Sequence, residues 1–247
     1  MKRDGQINVV GEVASPKVVS FAGVGRGDIL YYLSRYLDAD GNKVLFVDNS
    51  ESKDVYNAIK KADNETIGYQ KNVTFVKNLK LPNQDVLADF DFVIVNHGTK
   101  FDEEWVCESG RCFVMSNYET ESMNIAKDLV NCFQEQGKEF SFRLDWNIDF
   151  IFRDKAIKSQ KDIRFLKEMG IDKVPFSEIF VLNYDAKDYS SYLEFLYAGR
   201  QSIRSADLSN EMMDLLHYMV ETLTQKDKKS MKKLNRRVSK KMKGGLI

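Results

Sequence analysis

The sequence predicts a doubly wound α/β domain in which a mostly parallel sheet carries helices on both of its faces. Two observations lead to this fold class. Short apolar runs alternate with helical patterns along most of the chain, and such alternation is typical of βαβ units. The run at residues 90–96 is nearly continuous in apolar side chains, which indicates a central strand that is buried on both faces.

The elements are predicted in the order in which their patterns occur. A β-branched run at residues 17–22 ends in a glycine-rich loop, and the apolar spacing of a helix follows directly. The next strand, at residues 43–48, is spaced for a parallel crossover. Further strands are predicted at residues 73–76, 90–96, 111–116, 149–152 and 179–182, and further helices at residues 54–62, 121–136, 158–169, 189–197 and 208–224.

The composition excludes several classes of protein. The 247 residues are 43% hydrophobic and 12% aromatic, which is ordinary for a globular domain with one sizeable core. Three cysteines are too few for a disulfide framework or a cysteine-ligated metal site. The sequence shows neither a secretory signal pattern nor an apolar run of about 20 residues. We therefore expect a cytoplasmic protein without a metal, which is at most peripheral to a membrane.

The charge is balanced overall but divided unevenly along the chain. The protein has 37 Lys and Arg residues against 37 Asp and Glu residues. Residues 226–243 contain ten Lys or Arg and one Asp, so the remainder is net acidic. An acidic body with a basic tail is informative about partners rather than about the fold. We divide the chain into an N-terminal arm (1–16), an α/β domain (17–225) and a basic C-terminal tail (226–247).

The loop between the first strand and the first helix is the leading candidate for a binding site. Its residues are Gly23, Val24, Gly25, Arg26, Gly27 and Asp28. A loop at a helix N-terminus offers free backbone N–H groups and a positive dipole end, which suit an anion such as phosphate. The segment matches neither the strict P-loop pattern nor the glycine pattern of dinucleotide-binding domains.

Four segments of the chain resemble signature segments of the ParA/MinD family of deviant P-loop NTPases. The loop at residues 21–28 resembles the family's Lys-Gly-Gly-Val-Gly-Lys-Thr-Thr motif. Residues 41–48 resemble its second strand, which ends in Asp. Residues 90–98 resemble its third signature strand, residues 112–130 the segment that follows, and the likeness extends over residues 17–225. The resemblance implies a P-loop NTPase-like fold.

The resemblance also shows where the loop departs from the family pattern. Phe21 stands at the position of the signature Lys that reaches across an ATP-sandwich dimer. Arg26 stands at the position of the phosphate-binding Lys, and Gly27 at that of the Thr that ligates Mg²⁺. The following residue is Asp28, a carboxylate that suits a helix N-terminus but repels a triphosphate.

The strand motifs are altered as well. Asp48 retains the first Asp of the second-strand motif, whereas Ser50 and Asn96 replace two further family aspartates. Phosphoryl transfer depends on positioned charge and Mg²⁺, so the resemblance implies a pseudo-ATPase without a catalytic residue or a required cofactor. Its function would be that of a localisation or scaffold factor, as in the TadZ/CpaE branch of pilus and secretion positioning proteins. Such a factor would act through protein partners or as a homodimer.

Three alternatives remain open at this stage. The chain is an atypical ATPase switch if Arg26 and Asp48 suffice to hold ATP or ADP with Mg²⁺. It is a dinucleotide-binding Rossmann protein if Asp48 binds a ribose. The loop binds nothing if its glycines only make a tight turn and Asp28 caps the helix. His97, near the end of the third signature strand, is interpreted as a loop histidine.

The basic tail has the pattern of an amphipathic helix. Met231, Leu234, Val238 and Met242 recur at helical spacing as one narrow apolar stripe. Such a helix binds anionic membrane surfaces, or nucleic acid without sequence preference; the alternative is a solvated tail. The basic residues proposed for this contact are Lys232, Lys233, Arg236, Arg237, Lys240 and Lys241.

Overall fold

A computed structural model describes residues 16–25, 27–59, 67–70, 72–100, 102–139, 147–155, 176–198 and 207–241. Four predicted features lie outside these residues: nearly all of the N-terminal arm, Arg26 of the loop, the helix at 158–169, and the end of the basic tail with Met242.

Eight strands form a single sheet in the order β3-β4-β2-β5-β1-β6-β7-β8. All neighbouring pairs are parallel except β3 with β4. All seven predicted strands are confirmed; β3 was not predicted, because its four residues make no sustained apolar run. The strands are β1 (Lys17–Gly23), β2 (Val44–Asp48), β3 (Ile67–Gln70), β4 (Val73–Lys77), β5 (Phe92–Gly98), β6 (Ser109–Ser116), β7 (Asn147–Lys155) and β8 (Ile179–Asn183).

Helices connect the strands. The predicted helices are confirmed within the described residues, except that the helix predicted at 54–62 already ends at Ala58, where Ile59 is extended. Two short helices, α3 and α4, were not predicted. The helices are α1 (Asp28–Ala39), α2 (Asp54–Ala58), α3 (Gln84–Leu87), α4 (Glu103–Glu108), α5 (Thr120–Glu139), α6 (Ala186–Ala198), α7 (Asn210–Thr224) and α8 (Lys228–Lys241). This arrangement confirms the predicted doubly wound, mostly parallel α/β fold.

The alternation of side chains along β5 separates the two faces of the sheet. Ile94 belongs to the core on the face that is covered by α1 and α7, whereas Val93 and Val95 pack on the opposite face with Trp105 of α4. Continued by two residues, the same alternation directs Asn96 to the α1 face and His97 to the α4 face. The carboxyl end of β5 therefore contributes to two different clefts.

The C-terminal helix α8 packs on the domain. Met231, Leu234 and Val238 are 1–3% exposed and belong to the same core as α1 and α7. The predicted helix is thus present, but its apolar stripe is covered by protein, which corrects the expectation of a stripe available to a membrane. The boundary at residue 225 likewise divides elements that pack together.

The basic residues of α8 lie on its outer face. Lys232, Lys233, Arg236 and Arg237 are exposed, while the side chains of Lys240 and Lys241 are outside the described set. Among the described residues, no helix is both long enough and apolar enough to cross a bilayer.

Leu234→Ala should lower the free energy of unfolding by about 2–5 kcal/mol, because a buried leucine leaves both lost transfer energy and a cavity. Chemical denaturation measures this change. The matched control is Lys233→Ala on the exposed face of the same helix, which should stay within about 0.5 kcal/mol of the wild type. Equal, small effects of both substitutions would contradict the packing of α8.

Candidate functional site

The glycine-rich loop is held tightly against β6. Gly23 has φ +109°, a conformation that favours glycine. A Cβ atom at this position would lie 2.0 Å from the carbonyl oxygen of Met115. The next N–H group, that of Val24, donates to the same carbonyl over 3.1 Å. One of the backbone donors expected to face an anion is therefore used within the protein.

Two neighbouring helices close over the end of the loop. A Cβ atom on Gly27 would lie 2.2 Å from a methyl group of Val55 in α2. From α6, the buried hydroxyl of Tyr192 forms a hydrogen bond with the backbone of Gly27. Because protein atoms fill this space, a side chain at position 27 has no room in this structure.

Asp28, the first residue of α1, forms a bidentate ion pair with Arg153 of β7. The two hydrogen bonds are 2.5 Å (Nη1 to Oδ1) and 2.9 Å (Nη2 to Oδ2). Both side chains are almost completely buried. Asp28 is not the N-cap of the helix, since that position belongs to Gly27. The guanidinium group thus supplies the positive partner of this carboxylate at the start of the helix.

Asp48, Ser50 and Asn96 form one hydrogen-bonded cluster at the ends of β2 and β5. Asp48 Oδ1 accepts from Ser50 Oγ at 2.6 Å, from Ser50 N at 3.3 Å and from Asn96 Nδ2 at 3.1 Å. Asp48 Oδ2 accepts from the backbone N–H of Tyr56 at 3.2 Å. Burial raises the pKa of Asp48, and these hydrogen bonds oppose that shift. Oδ1 thus accepts from three donors, whereas Oδ2 accepts from one.

The cleft between the loop and this cluster is small and acidic. Its volume is about 160 Å³, below the range of about 300–1,000 Å³ of most ligand pockets. Glu51 and Asp54 line it, and none of its described lining residues is Lys or Arg. Across the mouth, Thr99 donates from its hydroxyl and its N–H to Glu51, over 2.7 and 3.2 Å. The described walls therefore oppose the binding of a polyphosphate.

Phe21 lies in the core rather than at the loop surface. It is completely buried and stacks on Phe113 of β6, with ring centroids 4.8 Å apart. At this position the side chain cannot reach a ligand in a second subunit.

Most of the predicted site residues lie together at the carboxyl edge of the sheet. Sequence reasoning missed Arg153, Tyr192, Val55 and Glu51, of which Arg153 lies 125 residues from its partner; no local pattern indicates any of them. Among the predicted residues, those that line the cleft or its base are Gly23, Val24, Gly25, Gly27, Asp48, Ser50 and Asn96.

His97 is a strand residue, which corrects the interpretation as a loop histidine. It lies within β5 and is 1% exposed. Its Nε2 is 2.9 Å from Ser20 Oγ. Burial lowers the pKa of His97 to about 4, although the nearby carboxylate of Asp102 acts in the opposite direction. The imidazole is therefore neutral at physiological pH.

Arg153→Met should lower the free energy of unfolding by about 3–5 kcal/mol, because it leaves the carboxylate of Asp28 buried without its charge partner. Urea denaturation gives this value. In the double variant Asp28→Leu with Arg153→Met, most of the stability should return, since an apolar pair of similar volume replaces a buried ion pair at little cost. A single variant as stable as the wild type would contradict the assigned pairing.

No family model matches the sequence, and no curated protein matches it. Solved structures do match. The cell division protein MinD of Aquifex aeolicus has a TM-score of 0.56 at 12% identity, covering 83% of this chain and 96% of that chain. A proposed plasmid partition protein of Borrelia burgdorferi B31, bound to AMPPNP, has a TM-score of 0.54 at 12% identity, covering 86% and 100%.

Apo McdA from Cyanthece has a TM-score of 0.50 at 12% identity, covering 92% of this chain and 99% of that chain. These alignments span nearly the whole of each neighbour, and they agree with the sequence segments that resemble the family. At such identities the likeness establishes the fold, and the chain has the ParA/MinD-like fold of the P-loop NTPases.

Proposed function

We propose that this chain is a degenerate ParA/MinD-type protein that acts as a localisation or scaffold factor, with little or no ATP hydrolysis. The observation that carries the proposal is the ion pair between Asp28 and Arg153. It fixes the start of α1 by protein charges alone, at the helix end where P-loop proteins bind phosphate. The start of α1 is thus held without a bound anion.

The surrounding chemistry supports the same conclusion. A phosphoryl-transfer site needs a Mg²⁺ ligand at the loop and a residue that orients the attacking water. Gly27 has no side chain to ligate a metal, and the oxygens of Asp48 are occupied by Ser50, Asn96 and the backbone. Glu51 and Asp54 add negative charge to the cleft. The residues at these positions hold the fold together rather than a nucleotide.

The ATPase alternative depends on Arg26. In this alternative the chain is a nucleotide switch of the ParA/MinD type, and Arg26 is the loop cation that holds ATP or ADP with Mg²⁺. The dinucleotide alternative is less favoured, because the carboxylate that would accept the ribose hydroxyls is buried and already accepts four hydrogen bonds from the protein.

Protein partners are part of the proposal. MinD of Aquifex aeolicus, which is similar in fold, occurs in a MinC:MinD complex. We infer a protein partner for this chain as well. Its role would be in partition or in the positioning of a pilus or secretion system. A homodimer would form without nucleotide, since Phe21 is in the core and offers no cross-dimer contact. In this proposal the N-terminal arm, residues 1–16, is a unit separate from the α/β domain.

Titration calorimetry with ATP and with ADP, each with and without Mg²⁺, should give no saturable heat. A ligand at one hundred times its Kd adds about 2.7 kcal/mol to stability, so unfolding followed at millimolar ATP provides a second readout. The stability of the protein should not increase with ATP.

The control for this experiment is Arg26→Ala. Under the proposal, wild type and variant behave identically with either nucleotide. Saturable heat that Arg26→Ala abolishes, together with Mg²⁺-dependent phosphate release, would contradict the proposal and favour the nucleotide switch.

A second candidate function rests on the outer face of α8. Four basic side chains, Lys232, Lys233, Arg236 and Arg237, are exposed there while the stripe beneath them is buried. This favours electrostatic contact with an anionic membrane surface or nucleic acid rather than insertion into lipid. The contact would localise the scaffold.

Changing these four residues together to Gln should weaken binding to anionic vesicles or duplex DNA at least tenfold, since each basic residue near an anionic surface contributes about 1 kcal/mol. Cosedimentation measures binding to vesicles, and a gel-shift titration measures binding to DNA. Binding should also fall steeply with salt. The control is Lys43→Gln with Lys187→Gln, which removes exposed lysines elsewhere; an equal loss there would contradict a role for α8.

A further inference from the structure

A second cleft lies on the opposite face of β5 from the glycine-rich loop. It has a volume of about 300 Å³, at the lower end of the range of ligand pockets. The ends of β2, β4 and β5 and the start of α4 surround it. Its lining residues are Asn49, Asn78, Leu79, Lys80, His97, Lys100 and Asp102.

The charge of this cleft differs in sign from that of the glycine-loop cleft. Lys80 and Lys100 are exposed and contribute to its wall. Asp102, the one acidic residue among the described lining, is engaged as the N-cap of α4, where it accepts from Trp105 N at 3.3 Å. Two cations on solvent-exposed stems can converge on an anion that enters from solvent.

His97 contributes a buried acceptor with a fixed tautomer. Ser109 Oγ donates to the carbonyl oxygen of Trp105 at 2.9 Å, so it accepts the proton of Ser20 Oγ across 2.6 Å. Ser20 Oγ then accepts from His97 Nε2 at 2.9 Å. The proton of the neutral imidazole is therefore on Nε2. The opposite nitrogen, Nδ1, is a bare acceptor that is buried and has no partner among the described residues.

The wall beside His97 is rigid. The side chain of Asn49 pairs with the backbone of Leu79 through two hydrogen bonds, each of 3.0 Å. The indole Nε1 of Trp105 donates to the same Leu79 carbonyl at 2.9 Å. These contacts fix Leu79, the residue before Lys80, so this wall of the cleft is in place before a ligand binds.

We propose that this cleft binds a small organic anion that carries a hydroxyl or N–H group, of the class of hydroxycarboxylates and sugar phosphates. The anionic group contacts the ammonium groups of Lys80 and Lys100, and the donor group supplies the hydrogen bond that His97 Nδ1 lacks. An unsatisfied buried acceptor is unfavourable, so a ligand that satisfies it gains specificity. This site is independent of nucleotide binding at the glycine-rich loop.

The test uses the two histidines of the chain as reporters. In the full-length protein labelled with ¹⁵N-histidine, long-range ¹H–¹⁵N spectra should show the Nε2–H tautomer for His97. Titration with L-malate should move its Nδ1 resonance saturably while His217, in α7, stays in place. Succinate, which lacks only the hydroxyl group, should bind at least tenfold more weakly. The same comparison for a phosphate group uses glycerol 3-phosphate, which carries hydroxyl groups, and inorganic phosphate.

Lys80→Gln with Lys100→Gln should weaken malate binding at least tenfold, whereas Lys43→Gln at the other edge of the sheet should leave it unchanged. The proposal is overturned if His97 carries its proton on Nδ1, or if none of the four anions moves its resonances at millimolar concentration. Equal binding of malate and succinate overturns the assigned ligand class. An equal loss in Lys43→Gln shows non-specific screening and overturns the site.

Discussion

The buried ion pair between Asp28 and Arg153 is the constraint on which the carboxyl edge of the sheet depends. It joins the first helix to a strand two positions away in the sheet, β7, across β6. Neither charge can be buried alone without a cost of several kcal/mol. Next to it, Val55 and Tyr192 fill the space beside Gly27, the residue before Asp28.

The sequence is most informative where burial is continuous. Strands such as β5 and β6 were predictable because both faces are covered, so that nearly every side chain is apolar. The four-residue strand β3 and the short helices α3 and α4 carry too few residues for a period to emerge. The substituted positions Gly27, Asp28 and Asn96 were visible at once, whereas the residues that compensate for them come from distant parts of the chain. Arg153 could not be identified as the partner of Asp28 from the sequence, because a contact across 125 residues depends on the topology of the sheet.

The apolar stripe of α8 illustrates a different limit. Its spacing predicted a helix correctly, but the same stripe suits a lipid surface and a protein core equally well. Only the packing against α1 and α7 distinguishes the two. His97 shows the same limit at a strand end, where β5 continues to Gly98, two residues beyond the predicted end, and an expected loop side chain is buried.

The position of β1 has a consequence for synthesis of the chain. This strand precedes both of its neighbours in the chain, because in the sheet it lies between β5 and β6, with Lys17 paired to Phe92. At about 5–20 residues per second, translation takes roughly 4–15 s to reach that partner. During this interval the apolar strand has neither of its neighbours. In the nascent chain, this apolar segment is therefore open to non-native contacts until β5 and β6 enclose it.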